Sequence, residues 1–256
     1  MTQLQNNATV VGCTKLPDCL FMIQIRPDWY TSNIPWEPGQ FIRIGILDDQ
    51  HNERTLRAMT ILSVEEGVFE FLMVAVDGGV TSSRLANLNI DDRCCVEPFI
   101  TGNFHSGNLP DVVNKDLWMM GTGTGIAPYL SMLKNSESIL RECENILLVH
   151  SVRQEQHLCS VEYISALQTR YPTLNYVPVV TREKGDRANL HNHIQTLLSN
   201  NSLSDHTGVA LSIEHSVLLL CGQPLMIKES TSILKELGFM KHRRRAPGHI
   251  LTERYF

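Results

Sequence analysis

One run constrains this chain more than any other: Trp118-Met119-Met120-Gly121-Thr122-Gly123-Thr124-Gly125-Ile126-Ala127-Pro128. A short apolar segment stops at a glycine-rich turn, and an amphipathic helix begins at once behind it. A strand that ends in bare backbone at a helix N-terminus can hold a phosphate or a dinucleotide. Residues before the turn read as β-rich; after it, strands and helices alternate to the end.

The chain is long enough for two such halves, because 256 residues allow two domains with a core each. A hydrophobic content of 43% and a charged content of 19% are globular values, and a net charge of −5 argues against bulk nucleic-acid binding. Met1 to Ala8 carries no basic segment followed by an apolar core, and no apolar run approaches the ~18 residues that span a bilayer. The expectation is a soluble cytoplasmic protein. Seven cysteines, with no C-x-x-C pair and no cluster-binding spacing, read as reduced, mostly buried thiols without a metal.

From Ala8 to about Glu97 short strands alternate with turn signals. Leu20–Ile25, Gln40–Ile46, Thr55–Ser63, Val68–Val76 and Arg93–Phe99 are β-rich, and Asp77-Gly78-Gly79 precedes a short helix over Thr81–Leu88 with a hydroxyl cap. Six or so antiparallel strands with one helix predict a small Greek-key barrel. Arg57-Ala58-Met59-Thr60, at a strand start, brings a guanidinium, an apolar side chain and a hydroxyl together. Gly79-Val80-Thr81-Ser82 offers N–H groups and hydroxyls at a helix start. Together they could clamp a pyrophosphate; singly, Arg57 reads first as a surface ion pair and Thr81 as a plain cap.

Residues 103–114, rich in Gly, Asn, Pro and Asp, read as a linker. The division is therefore 1–104 for the barrel, 105–114 for the linker and 115–256 for an α/β domain. There the helix opened by Tyr129 runs to about Glu142. Asn145–His150 is a strand, Cys159–Arg170 a helix, Leu174–Val180 a strand, Leu190–Leu198 a helix and Ser216–Cys221 a strand. Pro224–Leu237 is a helix that stops at Gly238. This alternation predicts a parallel sheet with helices on both faces and a ligand at the carboxyl ends of its strands.

Those ends present Gly121 to Gly125, His150 to Arg153, Thr181-Arg182-Glu183 and Cys221 to Pro224. An NAD-specific site places an acid there for the ribose 2′-hydroxyl; this chain has Arg153 and Arg182. Charge-assisted hydrogen bonds of ~1.5–3 kcal/mol each would favour NADP(H) over NAD(H) by roughly two orders of magnitude. The alternative is that both arginines pair with surface acids such as Glu155 and Glu183.

These motifs resemble the ferredoxin–NADP⁺ reductases, in particular the bacterial ferredoxin/flavodoxin reductases, over nearly the whole chain. Pro38-Gly39-Gln40-Phe41 is similar to the family's barrel turn, and Arg57-Ala58-Met59-Thr60 to its R-x-Y-S flavin motif. Thr81-Ser82 is similar to a second flavin-phosphate contact, and Gly121 to Pro128 to the nicotinamide-nucleotide loop. Val180 to Glu183, Cys221 to Met226 and the tail Pro247 to Phe256 match later segments. The resemblance implies FAD on the barrel, held by Arg57, Ala58, Met59, Thr60, Val80, Thr81 and Ser82, with Thr124, Tyr255 and Phe256 alongside the flavin. It implies NADP(H) at Gly123, Thr124, Gly125, Arg153, Thr181, Arg182, His193, Cys221, Gly222 and Met226. Thr60, Cys221 and Glu253 would border the hydride path, with Cys221 positioning the nicotinamide.

Three positions depart from the family. Met59 stands for the flavin-stacking tyrosine, Thr60 for serine, and His193 where bacterial relatives often have a third phosphate-binding arginine. A histidine loses its charge around neutrality, so the NADP preference should weaken as pH rises. The run Lys241-His242-Arg243-Arg244-Arg245 reads as a solvated face, as a nucleic-acid patch, or, given the family, as a dock for an acidic ferredoxin or flavodoxin. The implied activity is an FAD-dependent, monomeric oxidoreductase passing electrons between NADP(H) and such a one-electron carrier. Alternatives are another reductase of the superfamily, oxygenase-coupled or acting on quinones or flavins, and a nucleotide-binding module with an inactive flavin site.

Overall fold

The computed structural model describes every residue except 1–4, 17–19, 32–33, 49–52, 76–79, 159–160, 185 and 255–256. The first half forms β1 (Ala8–Lys15), β2 (Leu20–Pro27), β3 (Phe41–Asp48), β4 (Glu53–Thr60), β5 (Ser63–Glu65), β6 (Val68–Val74), the helix α1 (Val80–Ala86) and β7 (Arg93–Val96). The strands make one curled antiparallel sheet in the order β4-β3-β7-β1-β2-β6-β5. Alternate side chains sort to its inner face: Phe21, Ile23 and Ile25 of β2 join Ile42, Ile44, Phe69, Phe71 and Leu85 in one core.

The second half forms β8 (Asp116–Thr122), α2 (Ala127–Asn135), α3 (Glu137–Glu142), β9 (Asn145–Val152), α4 (Val161–Arg170), β10 (Leu174–Val180), α5 (Ile194–Ser199), α6 (Ser202–Thr207), β11 (Ser216–Gly222), α7 (Pro224–Glu236) and β12 (Ile250–Arg254). Five parallel strands lie in the order β10-β9-β8-β11-β12. Both faces are covered. Leu117 and Met119 of β8 and Leu219 of β11 pack with residues of α2, α3 and α4. Trp118, Met120 and Leu220 pack with residues of α5, α6 and α7 on the other face. This explains the unbroken apolar runs, since in a doubly covered parallel strand neither parity is free to be polar.

Several elements differ from expectation. The strand read as Thr55–Ser63 stops at Thr60, because Ile61 N–H donates to Gln40 O (3.0 Å), just before β3, while Leu62 N–H turns to Glu70 O of β6 (2.8 Å). Arg57 to Thr60 therefore close a strand instead of opening one, and α1 begins at Val80, which leaves Thr81 and Ser82 inside its first turn and not at the cap. The helix expected to reach Glu142 breaks at Ser136, whose φ of −131° and ψ of 78° are not helical. The helix expected from Leu190 starts at Ile194, because Leu190 is bridged to Val179. Strand β9 continues to Val152, which moves His150 from a strand end into the strand. Elements not delimited from sequence include β1, β5, α6, begun by Asn201 at φ 62°, and β12, paired in parallel with β11. Among the described residues no helix is long and apolar enough to cross a membrane.

Helix α2 joins the two sheets. Its Tyr129, Leu130, Met132 and Leu133 share a core with Leu20, Leu62, Leu72 and Phe104 of the first half. Buried Ser131 accepts a hydrogen bond from Gly39 N–H (3.1 Å) and donates to Ile61 O (2.7 Å). Lys134 Nζ reaches Glu70 Oε2 (2.9 Å). Burial alone would push the Glu70 carboxyl up, but the Lys134 ammonium, with Ser63 and Gln24, holds it below its ordinary value. The glycine turn is thus fixed to the first sheet by the helix that follows it.

Candidate active site

In a parallel sheet all carboxyl ends face one edge, and here the glycine turn sits at their centre. After Thr122 the chain makes a 3-10 turn over Gly123–Ile126 and runs straight into α2. The turn packs against β8, β9 and β11, and also against β6 of the first sheet. Its glycines act differently. Gly123 takes φ +56° with nothing within 4 Å of a would-be Cβ, whereas a Cβ on Gly125 would lie 2.7 Å from Cys221 O and 2.9 Å from Gly222 Cα. Gly222, at φ +126°, lies so close to Thr122 that a Cβ would overlap the Thr122 hydroxyl. That hydroxyl accepts from Gln223 N–H (2.8 Å). The turn and the end of β11 are therefore in backbone contact, and glycine is required on both sides.

Cys221 of β11 stands in register with Gly121 of β8 and Glu253 of β12. Its thiol is fully buried and held well above its ordinary value, first by burial and then by Glu253. A protonated, covered thiol is a wall of the site and not a nucleophile. Burial pushes the Glu253 carboxyl up to about 8, and its Oε2 is enclosed without a hydrogen-bond partner among the described residues. The side chain is then a neutral acid near neutral pH, able to hold or donate a proton.

A stability prediction follows from that proton. Glu253 has a folded value of about 8 against an ordinary 4.5, so the folded state holds a proton that the unfolded chain releases. Its contribution is fully present below the unfolded value and is lost as pH rises through the window up to about 8. The slope is at most about 1.4 kcal/mol per pH unit. Glu253→Gln should flatten this slope and raise the unfolding midpoint at the alkaline end. Denaturant titrations across the window that give parallel curves for both proteins would refute it.

At the ends of β9 and β10 the two arginines are neighbours. Arg182 N–H donates to Arg153 O and Thr181 N–H to Val152 O, both at 3.0 Å, and the Thr181 hydroxyl also lies on Val152 O (3.2 Å). Both guanidinium groups are exposed, and among the described residues neither is in an ion pair. The nearby acids are engaged elsewhere: Glu183 accepts from Glu155 N–H, and Glu155 accepts from Arg187 N–H (2.7 Å). The carboxylates lace the two loops through backbone groups and leave the arginines free. His193 is exposed and caps α5 with its backbone. Met226, by contrast, is 2% exposed and packs in the core under α7, so its side chain is not at the mouth.

On the first sheet, α1 packs against β3 and β4, which brings the Arg57 strand and the Thr81-Ser82 turn onto adjoining elements. Arg57 is exposed and its guanidinium donates to its neighbour's carbonyl, Leu56 O (3.2 Å). Ala58 and Met59 are half-buried, Met59 against the sheet's core, while Thr60, Thr81 and Ser82 are buried. Val80 opens α1. Tyr255 and Phe256 lie outside the described residues. The motifs gave no role to Ser131, to the Thr122 hydroxyl within the glycine turn, or to the His150 imidazole within its apolar strand.

Comparison with known proteins agrees with this geometry. Residues 119–232 match the oxidoreductase NAD-binding domain family. The flavodoxin/ferredoxin–NADP reductase of Escherichia coli K12 is 34% identical over 242 residues, 93% of this chain and 94% of that protein. The one from Buchnera aphidicola of Baizongia pistaciae is 31% identical over 224 residues, 87% and 88%. A ferredoxin NADP⁺ reductase from Neisseria gonorrhoeae, solved with bound FAD and NADP, superimposes with a TM-score of 0.87 at 28% identity, covering 98% of each chain. With the nucleotide turn, the paired arginines and the tethered antiparallel sheet in place, the chain belongs to the flavodoxin/ferredoxin–NADP reductase family.

Proposed function

We propose that this protein is an NADP(H)-dependent flavoenzyme that passes electrons between the pyridine dinucleotide and a ferredoxin or flavodoxin. The observation that carries the proposal is the placement of the glycine turn, which touches the carboxyl ends of three parallel strands and the first sheet at once. Two nucleotide grips share one mouth. FAD, when bound, supplies the step between two-electron hydride chemistry and one-electron carriers. The first-sheet residues fit that group: Arg57 is uncommitted to any ion pair among the described residues, and Thr81-Ser82 open a helix beside it. Residues 1–104 would hold FAD and 115–256 NADP(H), joined by 105–114.

The chain's own residues divide the work. Gly123, Thr124 and Gly125 present backbone N–H groups to phosphate, a role suited to the first turn of a helix. Arg153, Thr181 and Arg182 receive the 2′-phosphate, with His193 near the same loops. Cys221 and Gly222 form the floor on which the nicotinamide lies, and Thr60 and Glu253 place a hydroxyl and a protonated carboxyl at the reacting edge. Arg57 and the α1 turn would grip the flavin's pyrophosphate, and Tyr255 and Phe256 would flank its ring. The purified protein should be yellow and bleach rapidly with NADPH and slowly with NADH. A colourless protein that takes up no FAD would overturn the reading and leave a nucleotide-binding module.

Met59 offers a sharper test of the flavin site. A thioether packs on an aromatic face but lacks a ring–ring stack worth about 0.5–1.5 kcal/mol. Met59→Tyr should tighten FAD binding by about threefold to tenfold or shift the flavin potential. Flavin fluorescence on dilution and a redox titration measure both; no change in either removes Met59 from the flavin.

The carrier would dock on the basic run. Arg243 and Ala246 exchange two backbone hydrogen bonds (3.0 and 2.9 Å), which projects Arg244 and Arg245 from a tight turn. Lys241 lies below its ordinary value through burial, then through Lys235, Arg254 and Arg243. Those cations thus gather along β12, up to Arg254 opposite Gly222 at the mouth. Carrier-dependent cytochrome c reduction should fall steeply with salt. Charge reversal at Arg243, Arg244 and Arg245 should remove that salt dependence while NADPH-driven dye reduction stays intact. A salt-independent wild-type rate counts against docking there.

A further inference from the structure

His150 is fully buried within β9, directly beneath the glycine turn, and nothing above gives it a task. Its Nε2 lies 3.0 Å from Gly123 O and its Nδ1 lies 3.2 Å from the Tyr176 hydroxyl on the adjoining β10. A carbonyl can only accept, so Nε2 carries the proton; Nδ1 is then bare and accepts from the Tyr176 O–H. Burial lowers the imidazole to about 4, so it stays neutral and this single tautomer satisfies both nitrogens.

We infer that His150, its tautomer set by the Gly123 carbonyl and its ring held by the Tyr176 hydroxyl, orients the Gly123–Thr124 peptide so that its N–H faces the dinucleotide phosphates. The inference rests on the proposed NADP(H) site. A trans peptide points its C=O and N–H in opposite directions. Drawing Gly123 O down onto Nε2 therefore turns Thr124 N–H up and outward, at a turn whose first N–H groups have no partner within the helix. Gly123 itself does not fix this plane, since its φ of +56° and open surroundings leave it free to rotate. Thr122 is held by Gln223 and Gly125 by contact with Cys221, so Gly123 O is the point at which the turn needs a third anchor. His150 is a positioning residue, acting through the turn without touching the ligand.

The test uses the holoenzyme, three variants and a fourth as control. Gln can place a donor near the Nε2 position, whereas Leu cannot. His150→Leu should raise the NADP⁺ Kd and NADPH KM about tenfold, the worth of one buried hydrogen bond, with kcat and flavin content little changed. His150→Gln should restore most of the loss, and Tyr176→Phe should shift binding in the same direction as Leu by a smaller factor. Nitrogen NMR of the labelled imidazole should show the proton on Nε2 in wild type and in Tyr176→Phe, which keeps the idea testable if the Leu variant does not fold. A His150→Leu protein with wild-type NADP⁺ affinity, a Gln variant no better than Leu, or a proton on Nδ1 would overturn it. Gly125→Ala serves as the control. If it loses NADP⁺ while His150→Leu does not, this inference alone fails; if wild type and Gly125→Ala bind alike, the nucleotide reading fails with it.

Discussion

Replacing Arg153 and Arg182 together by alanine should lower kcat/KM for NADPH by about 100-fold and leave that for NADH within about threefold. The magnitude comes from two charge-assisted contacts of ~1.5–3 kcal/mol each, taken at the low end because both side chains are solvent-exposed. The selectivity of the effect comes from geometry. Arg182 N–H is bonded to Arg153 O, so the two positions are adjacent, and Glu155 and Glu183 bind backbone N–H groups instead of neutralising them. Two like charges side by side, with no ion-paired acid among the described residues, would suit a dianion such as the 2′-phosphate. Each single substitution should remove about tenfold and the pair more than either, with the NADPH rate losing most of its salt dependence. Steady-state kinetics with both dinucleotides decide the matter. Equal losses for NADPH and NADH would mean that the arginines hold the loops or the shared pyrophosphate and do not read the 2′-phosphate.

That answer could not be taken from sequence alone, where pairing of the arginines with Glu155 and Glu183 was equally open. Which partner a surface carboxylate chooses depends on the path of two loops, and those loops are set by the spacing of β9 and β10. What could be read were features with a local cause. The β8 run and its glycine turn, the bounds of β10 and the start of α7 at Pro224 follow from apolar continuity, backbone freedom and a fixed proline φ. Strand β12 escaped notice because Ile250-Leu251-Thr252-Glu253-Arg254 is too short and mixed to declare itself; it is a strand because β11 offers it an open edge. The same tertiary cause hid His150. Its strand was legible, but its burial depends on β9 lying between β8 and β10.

The glycine turn itself should respond unequally to the same added methyl group. At Gly123 an alanine meets nothing within 4 Å, so Gly123→Ala costs only the left-handed conformation, about 1–2 kcal/mol, and should weaken NADPH binding about tenfold or less. At Gly125 the methyl would lie 2.7 Å from Cys221 O and 2.9 Å from Gly222 Cα, both backbone atoms with nowhere to go. The turn must then lift off β11. That displaces the N–H groups offered to phosphate and also the Cys221–Gly222 floor, so one substitution spoils both ends of the dinucleotide site. Misplacement by about 1 Å can cost about 100-fold in rate, and Gly125→Ala should lose at least that much in kcat/KM for NADPH. Flavin content should survive, because Arg57 and α1 belong to the other sheet and Ser131 still ties α2 to Ile61 O and Gly39 N–H. Stopped-flow flavin reduction by NADPH, with absorbance to report FAD occupancy, separates the two variants. Equal effects at Gly123 and Gly125 would show that the turn does not rest on β11 when the dinucleotide binds.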